Sequence, residues 1–196
     1  PLLDNDRARI ELANSLLFTL PGSPVVYYGD EIGMGDNIWL QDRNGVRTPM
    51  QWSNVPNAGF SSAKPDKLYA PVIDEGPYSY HKVNVEAQEA DPDSLLHRMR
   101  EMIRIRKSQS ALRRGEIQFL EVPNVAILAY LRTSGDESVL VVNNLSPEEQ
   151  SVELDADQLG SRQPVDLFSG KGLETVAAPS PALTLERYQY RWIRLE

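Results

Sequence analysis

The run Ser23-Pro24-Val25-Val26-Tyr27-Tyr28 limits what this chain can fold into more than any other stretch. It is short, apolar and β-rich, and it stands between the helix-stopping Pro21-Gly22 and the turn residue Gly29. A run without polar alternation reads as a strand covered on both faces, and such a strand needs a hydrogen-bonded neighbour on each edge. Ahead of it, Asp4, Asn5 and Asp6 are capping residues, and Ile10, Ala13, Leu17 and Leu20 are spaced as the apolar stripe of a helix of about four turns. Helix, tight turn and buried strand make the αβ half of a βαβ repeat. No second run of this kind occurs before residue 115, so the strand has no partner within its own part of the chain.

From Gly29 to about Ala90 the periodicity is weak and proline and glycine are frequent. An irregular excursion of that length points to function or to a missing partner surface. Asp91-Pro92-Asp93-Ser94 then starts a second helix, with Leu95, Met99, Met102 and Ile103 as its buried stripe. Arg98, Arg100, Arg104, Arg106 and Lys107 fill the other faces and the last turn. Phosphate binding is one reading of that basic run. The expected one is a solvated face, favoured near a helix C-terminus.

The character changes after Arg114-Gly115. Ile117–Val122, Val125–Leu131, Ser138–Asn143, Gln150–Leu154 and Tyr188–Leu195 read as strands, with turns at Gly135-Asp136, Ser146-Pro147 and Ser169-Gly170. Residues 115–196 hold 13 acidic and 6 basic side chains, whereas 91–114 hold 3 and 7, which sets a boundary near 115. The expectation is an α/β part over 1–114 and an all-β domain over 115–196, a small antiparallel β-sandwich. Tyr188, Tyr190 and Trp192 alternate along one strand, and their shared face is expected to pack the sandwich.

Composition excludes several function classes. A net charge of −8 argues against nucleic acid or an anionic membrane as partner. The absence of cysteine excludes thiol catalysis, disulfides and Cys-ligated zinc. No long apolar run and no signal-like start occur, so a cytoplasmic protein is expected; the missing initiator Met is read as a start within a longer polypeptide. His81 and His97 lack partners at metal-binding spacing, and Gly29, Gly33 and Gly35 do not make a phosphate cradle. No metal and no cofactor is predicted.

The loop after the strand carries Asp30, Glu31, Asp36 and Asp42. Glycoside chemistry needs two facing carboxylates, but adjacent Asp30 and Glu31 would point to opposite sides of an extended strand end. A pair such as Glu31 with Asp42 stays open against capping, turn and arginine-pairing roles. Arg43 and Arg47 stand four apart, and a guanidinium can hold a carboxylate or two sugar hydroxyls in fixed geometry; a structural ion pair is the competing reading. Trp39 and Trp52 are either sugar-stacking platforms or core and lid packing.

The stretch Leu20–Met34 resembles the last barrel strand and following loop of the α-amylase superfamily of retaining glycoside enzymes. Arg47-Thr48-Pro49-Met50-Gln51-Trp52, Asn57-Ala58-Gly59-Phe60 and Val83-Asn84-Val85-Glu86-Ala87-Gln88 are similar to the α-glucosidase branch. Gly35-Asp36-Asn37-Ile38-Trp39-Leu40, with Asp42-Arg43-Asn44-Gly45-Val46, is most similar to the trehalose synthases; Gln41 stands where they would carry glycine. The resemblance implies the C-terminal end of a (β/α)8 TIM barrel, its last strand with flanking helices, followed by the β domain. Such a barrel needs about 250 residues. The Asp nucleophile, the Glu acid/base and the third Asp of the family lie on earlier strands, so no catalytic residue is expected here, and the missing N-terminal part of the same barrel is the implied partner. Arg47 matches the arginine that binds the non-reducing glucose, Arg43 a position nearer the leaving glucose, and Asp30 with Glu31 a supporting pair. The implied substrates are maltose and trehalose, with glucose held during intramolecular transfer. An α-glucosidase fragment and a non-catalytic carbohydrate-binding module are the alternatives, and a homo-oligomer is left open.

Overall fold

The computed structural model describes residues 3–153, 164–173 and 182–195. Its contacts divide the chain into two units: Asp6–Pro24 with Glu101–Glu196, and Val25–Arg100 with Pro1–Asn5.

The first unit opens with helix α1, Arg7–Thr19, whose Asp6 cap accepts from the amides of Ala8 and Arg9 at 3.0 and 3.3 Å. Seven strands follow in the described residues: β1 Glu116–Phe119, β2 Ile127–Ser134, β3 Glu137–Asn144, β4 Gln150–Glu153, β5 Pro164–Asp166, β6 Ala182–Leu185 and β7 Tyr190–Leu195. The larger sheet runs β1-β2-β3-β7-β5 and the smaller pairs β4 with β6, antiparallel throughout. Ala129, Leu140, Val142, Ile193 and Leu195 from the large sheet share one core with Val152 and Leu185 of the small one.

The opposite face of the large sheet meets α1. Ser15 Oγ accepts from Trp192 Nε1 at 2.8 Å and donates to Asn143 Oδ1, while the Thr19 hydroxyl pairs with that of Tyr130. Strand β3 is therefore buried on both sides, as its unbroken Val139-Leu140-Val141-Val142 suggests. This arrangement corrects two expectations. The buried side of α1 is Leu12, Ser15, Phe18 and Thr19, not the stripe of Ile10, Ala13, Leu17 and Leu20, because the helix lies on a sheet face that offers hydrogen bonds. Trp192 packs toward α1 rather than into the core between the sheets, and Tyr188 lies outside β7 with a φ of 52°. Strands β5 and β6 were not anticipated, and Leu154 lies outside the described residues.

Helix α3 is Leu95–Ser108, and α4 is Ser110–Arg114. Leu95, Met99 and Met102 are buried as expected; Leu96, Ile105 and Arg106 join them, and Ile103 is only half-buried. The solvated-face reading thus fails at Arg106, which donates to the carbonyls of Phe18 and Gly22 at the end of α1. Arg132, 1% exposed, donates to the carbonyls of Thr19, Gly115 and Glu116. The negative end of the α1 dipole supplies the charge partner that a carboxylate would otherwise provide.

In the second unit α2 spans Val85–Ala90, capped by Asn84, the first turns of α3 follow, and the rest of the described residues are turns, 3-10 segments and irregular chain. Ile32, Met50 and Leu96 form its core, with Met34, Val83 and Val85 packed around them. The backbone of Ser23–Tyr27 is not in any ladder, and Val25 is 81% exposed. A strand exists only with a neighbour, and the described residues of this unit contain none.

Candidate functional site

Gly29 and Gly33, with φ of 94° and 70°, bracket a single 3-10 turn, Asp30–Ile32. Asp30 accepts from the Tyr27 amide at 3.1 Å and Glu31 from the Gly29 amide at 2.7 Å, so both carboxylates hold their own turn. A Cβ at Gly29 would stand 2.8 Å from Met34 Sδ, which reserves the position for glycine. The turn drops Ile32 into the core, and Gln88 pins it there: its amide donates to the Ile32 carbonyl at 2.7 Å and accepts from the Leu96 amide at 3.1 Å.

The next loop is closed at its neck by the Asn37 amide on the Gly45 carbonyl, 3.1 Å, where a Cβ on Gly45 would approach Asn37 O to 2.6 Å. Its tip presents Trp39, 88% exposed, above an amide that donates to Asn37 Oδ1. Trp52 is also exposed. Neither ring packs into a core among the described residues.

A 3-10 helix over Asp42–Arg47 carries both candidate arginines. Arg43 is exposed and makes a loose pair with neighbouring Asp42, 3.8 Å. The exposed guanidinium of Arg47 has no ion pair among the described residues, whereas its backbone is held firmly. Tyr69 donates to the Arg47 carbonyl at 2.6 Å and Tyr28 to the Thr48 carbonyl at 3.0 Å. Burial, and then the adjoining Tyr69 hydroxyl, push the Tyr28 phenol well above its ordinary value, so it stays a donor.

After Arg47 the chain dives inward. Thr48, Pro49, Met50 and Gln51 are buried. Gln51 donates to the carbonyls of Tyr78 and Val83, and the Gln51 and Trp52 carbonyls receive the amides of Val85 and Glu86 at 2.9 Å. Thr48 Oγ1 and Gln51 Oε1 are buried without a hydrogen-bond partner among the described residues. His81 contacts Asn54 and stacks on Tyr80, and His97 meets the Glu89 carbonyl, both structural roles.

Arg43 and Arg47 thus come from one short helix, on a loop whose Asp30 and Glu31 serve their own turn and whose Asp42 lies beside Arg43. The organising roles of Tyr28, Tyr69 and Gln51 carried no sequence signal: Tyr69 sits in a stretch without periodicity, 22 residues from its acceptor.

Residues 2–115 match the alpha amylase catalytic domain, and residues 117–192 match the maltogenic amylase C-terminal domain. The chain belongs to the α-amylase family. Within the family, it is 51% identical to the trehalose synthase of Pimelobacter sp. (strain R48), covering 100% of this chain and 35% of that protein. It is 48% identical to the trehalose synthase/amylase TreS of Mycobacterium tuberculosis (strain ATCC 25618 / H37Rv), over 100% of this chain and 33% of the relative. Among solved structures, the trehalulose synthase MutB from Pseudomonas mesoacidophila MX-45 aligns with a TM-score of 0.75 at 25% identity, over 99% of this chain and 40% of that one. The chain therefore spans about a third of the length of the curated relatives it matches. Its architecture is a portion of the α-amylase TIM barrel followed by an antiparallel β domain.

Proposed function

We propose that these residues form the C-terminal portion of an enzyme that interconverts maltose and trehalose by intramolecular retaining glucosyl transfer, and that residues 29–60 make one wall of its sugar site. The observation that carries this reading is Arg47. It is an exposed donor fork with no internal ion pair among the described residues, set on a backbone gripped at two successive carbonyls. The likeness to trehalose synthases over the whole chain supports maltose and trehalose as the sugars.

In this reading Arg47 binds the non-reducing glucose and Arg43 lies nearer the leaving glucose. The nucleophilic Asp and the Glu that protonates the departing glucose belong to earlier barrel strands. The freed glucose turns in a closed site, and its 1-hydroxyl attacks the glucosyl-enzyme. Transfer outruns hydrolysis only where water is kept out, a task for a loop wall of this kind. The boundary between barrel and β domain falls at 114/115, the two sheets around one core form a sandwich, and the enzyme is cytoplasmic. No helix among the described residues is long and apolar enough to cross a membrane.

Arg47→Ala in the full-length enzyme is expected to lower kcat/KM for maltose by about 10- to 100-fold, the worth of charge-assisted hydrogen bonds, with little change in melting temperature. Unchanged kinetics would remove Arg47 from the site.

A further inference from the structure

We propose that Tyr28 and Tyr69 are positioning residues for the sugar-binding arginine: their hydroxyls grip the carbonyls of Thr48 and Arg47 from upstream and downstream in the sequence and so set the direction in which the Arg47 side chain leaves the backbone. The proposal rests on the sugar-binding role of Arg47.

Arg47 is the last residue of its 3-10 helix, and Thr48, at ψ 157°, has already left helical geometry. Carbonyls at such an end have no intrahelical acceptor role and must find donors elsewhere. Here they find two phenols. Tyr28 arrives from 20 residues upstream and Tyr69 from 22 residues downstream. Peptide planes are rigid, so fixing these two consecutive carbonyls fixes the torsions of Thr48 between them, and the Arg47 Cα is held on one side by the plane that Tyr69 grips and on the other by its own 3-10 helix. The rings are themselves braced. Tyr28 lies against Tyr27 with centroids 4.7 Å apart, and Tyr69 stands edge-on to Phe60 at 6.1 Å.

Tyr69 is the more telling of the two. Most of the residue faces solvent, so it buries little apolar area to justify its place, yet its hydroxyl donates to one backbone oxygen at 2.6 Å. That bond fastens the irregular segment around Leu68–Ala70 to the arginine turn. The Tyr28 and Tyr69 hydroxyls donate to consecutive carbonyls of one turn, so the two donors form one device rather than two separate contacts. A long side chain magnifies any backbone rotation at its root, and a misplacement of about 1 Å in a binding group can cost about a hundredfold.

The test is kinetic, in the full-length enzyme, with Tyr28→Phe and Tyr69→Phe, which remove the hydroxyls and keep the rings. Each is expected to raise KM for maltose about three- to tenfold, the worth of one hydrogen bond, while kcat stays within about twofold and the melting temperature changes little. In an Arg47→Ala background the same substitutions are expected to leave KM unchanged, because the group they aim is gone. Wild-type KM in both Tyr→Phe enzymes, beside an impaired Arg47→Ala enzyme, overturns the clamp alone. An equal KM rise with and without Arg47 also overturns it, since the hydroxyls would then act on something else. Wild-type kinetics in Arg47→Ala overturns the sugar-binding role and the clamp together.

Discussion

At the scale of single residues, the buried arginines show how a positive charge can be kept inside without a carboxylate. Burial lowers the proton affinity of the Arg106 guanidinium, and burial followed by the nearness of Arg106 does the same to Arg132. Both remain donors, because the carbonyls at the end of α1 accept from them. Arg132→Met would strand three carbonyl acceptors, and is expected to cost about 2–4 kcal/mol, read as a lower urea midpoint at unchanged slope. Arg132→Lys is expected to recover only a small part, since an ammonium cannot fork toward carbonyls of different segments. The sequence placed Arg106 on a solvated face because composition near a helix end favours that. Its true acceptors are 84 and 88 residues away, beyond any local pattern. By contrast, the supporting role of Asp30 and Glu31 followed only from the family resemblance; read as residues they stood at an extended strand end, whereas they lie in a 3-10 turn and accept from its amides. Trp39, at the tip of its loop, is expected to tolerate Trp39→Ala without loss of melting temperature, since no core contact depends on it.

At the scale of elements, α4 depends on a strand for its cap. Glu137, the first residue of β3, accepts from Ser110 Oγ at 2.7 Å and from the Ala111 amide at 2.8 Å. Burial pushes its carboxyl up, but these hydrogen bonds outweigh burial and hold it below the ordinary value of 4.5. A lowered folded-state value means that the stabilisation is complete above the unfolded value and is lost as pH falls through the folded one. Glu137→Gln is therefore expected to cost about 1 kcal/mol at pH 7, with the gap to wild type closing as the pH drops below about 4, in paired melts across pH. The hairpin that places Glu137 was readable in advance: Gly135, with φ of 60°, suits the first central position of a two-residue turn, and Ser134 faces Glu137 across it. The β4–β6 pair was not. Its register joins Gln150 to Leu185, and neither short strand shows an alternation strong enough to name its partner. The Ser23–Tyr28 run was read as a strand covered on both faces; among the described residues it joins no ladder and Val25 is exposed, because a ladder belongs to two segments and the described residues offer only one.

At the scale of the whole molecule, the boundary seen by charge and motif at residue 115 is not the boundary seen by contact. Family likeness changes at 115–117, whereas the packed unit joins Asp6–Pro24 to Glu101–Glu196. A piece comprising only 115–196 would bare the side of the large sheet that carries Tyr130, Asn143 and Trp192. It is expected to bind a hydrophobic dye and to melt well below the same residues in the intact chain; a dye-silent, equally stable piece would contradict this packing. The exposed Val25–Tyr28 segment, with its unused ladder groups, is expected to make the 196-residue chain associate as its concentration rises, measurable by light scattering. The hydroxyl face of α1 also bears on how such proteins can be recombined. Ser15 and Thr19 act as a docking code written 111 to 177 residues before the strand positions that read it. A chimera that imports a β domain from a relative at position 115 inherits the reader without the code. Crossovers that carry α1 along with the β domain are the ones in which Trp192 and Arg132 find the groups they were shaped against.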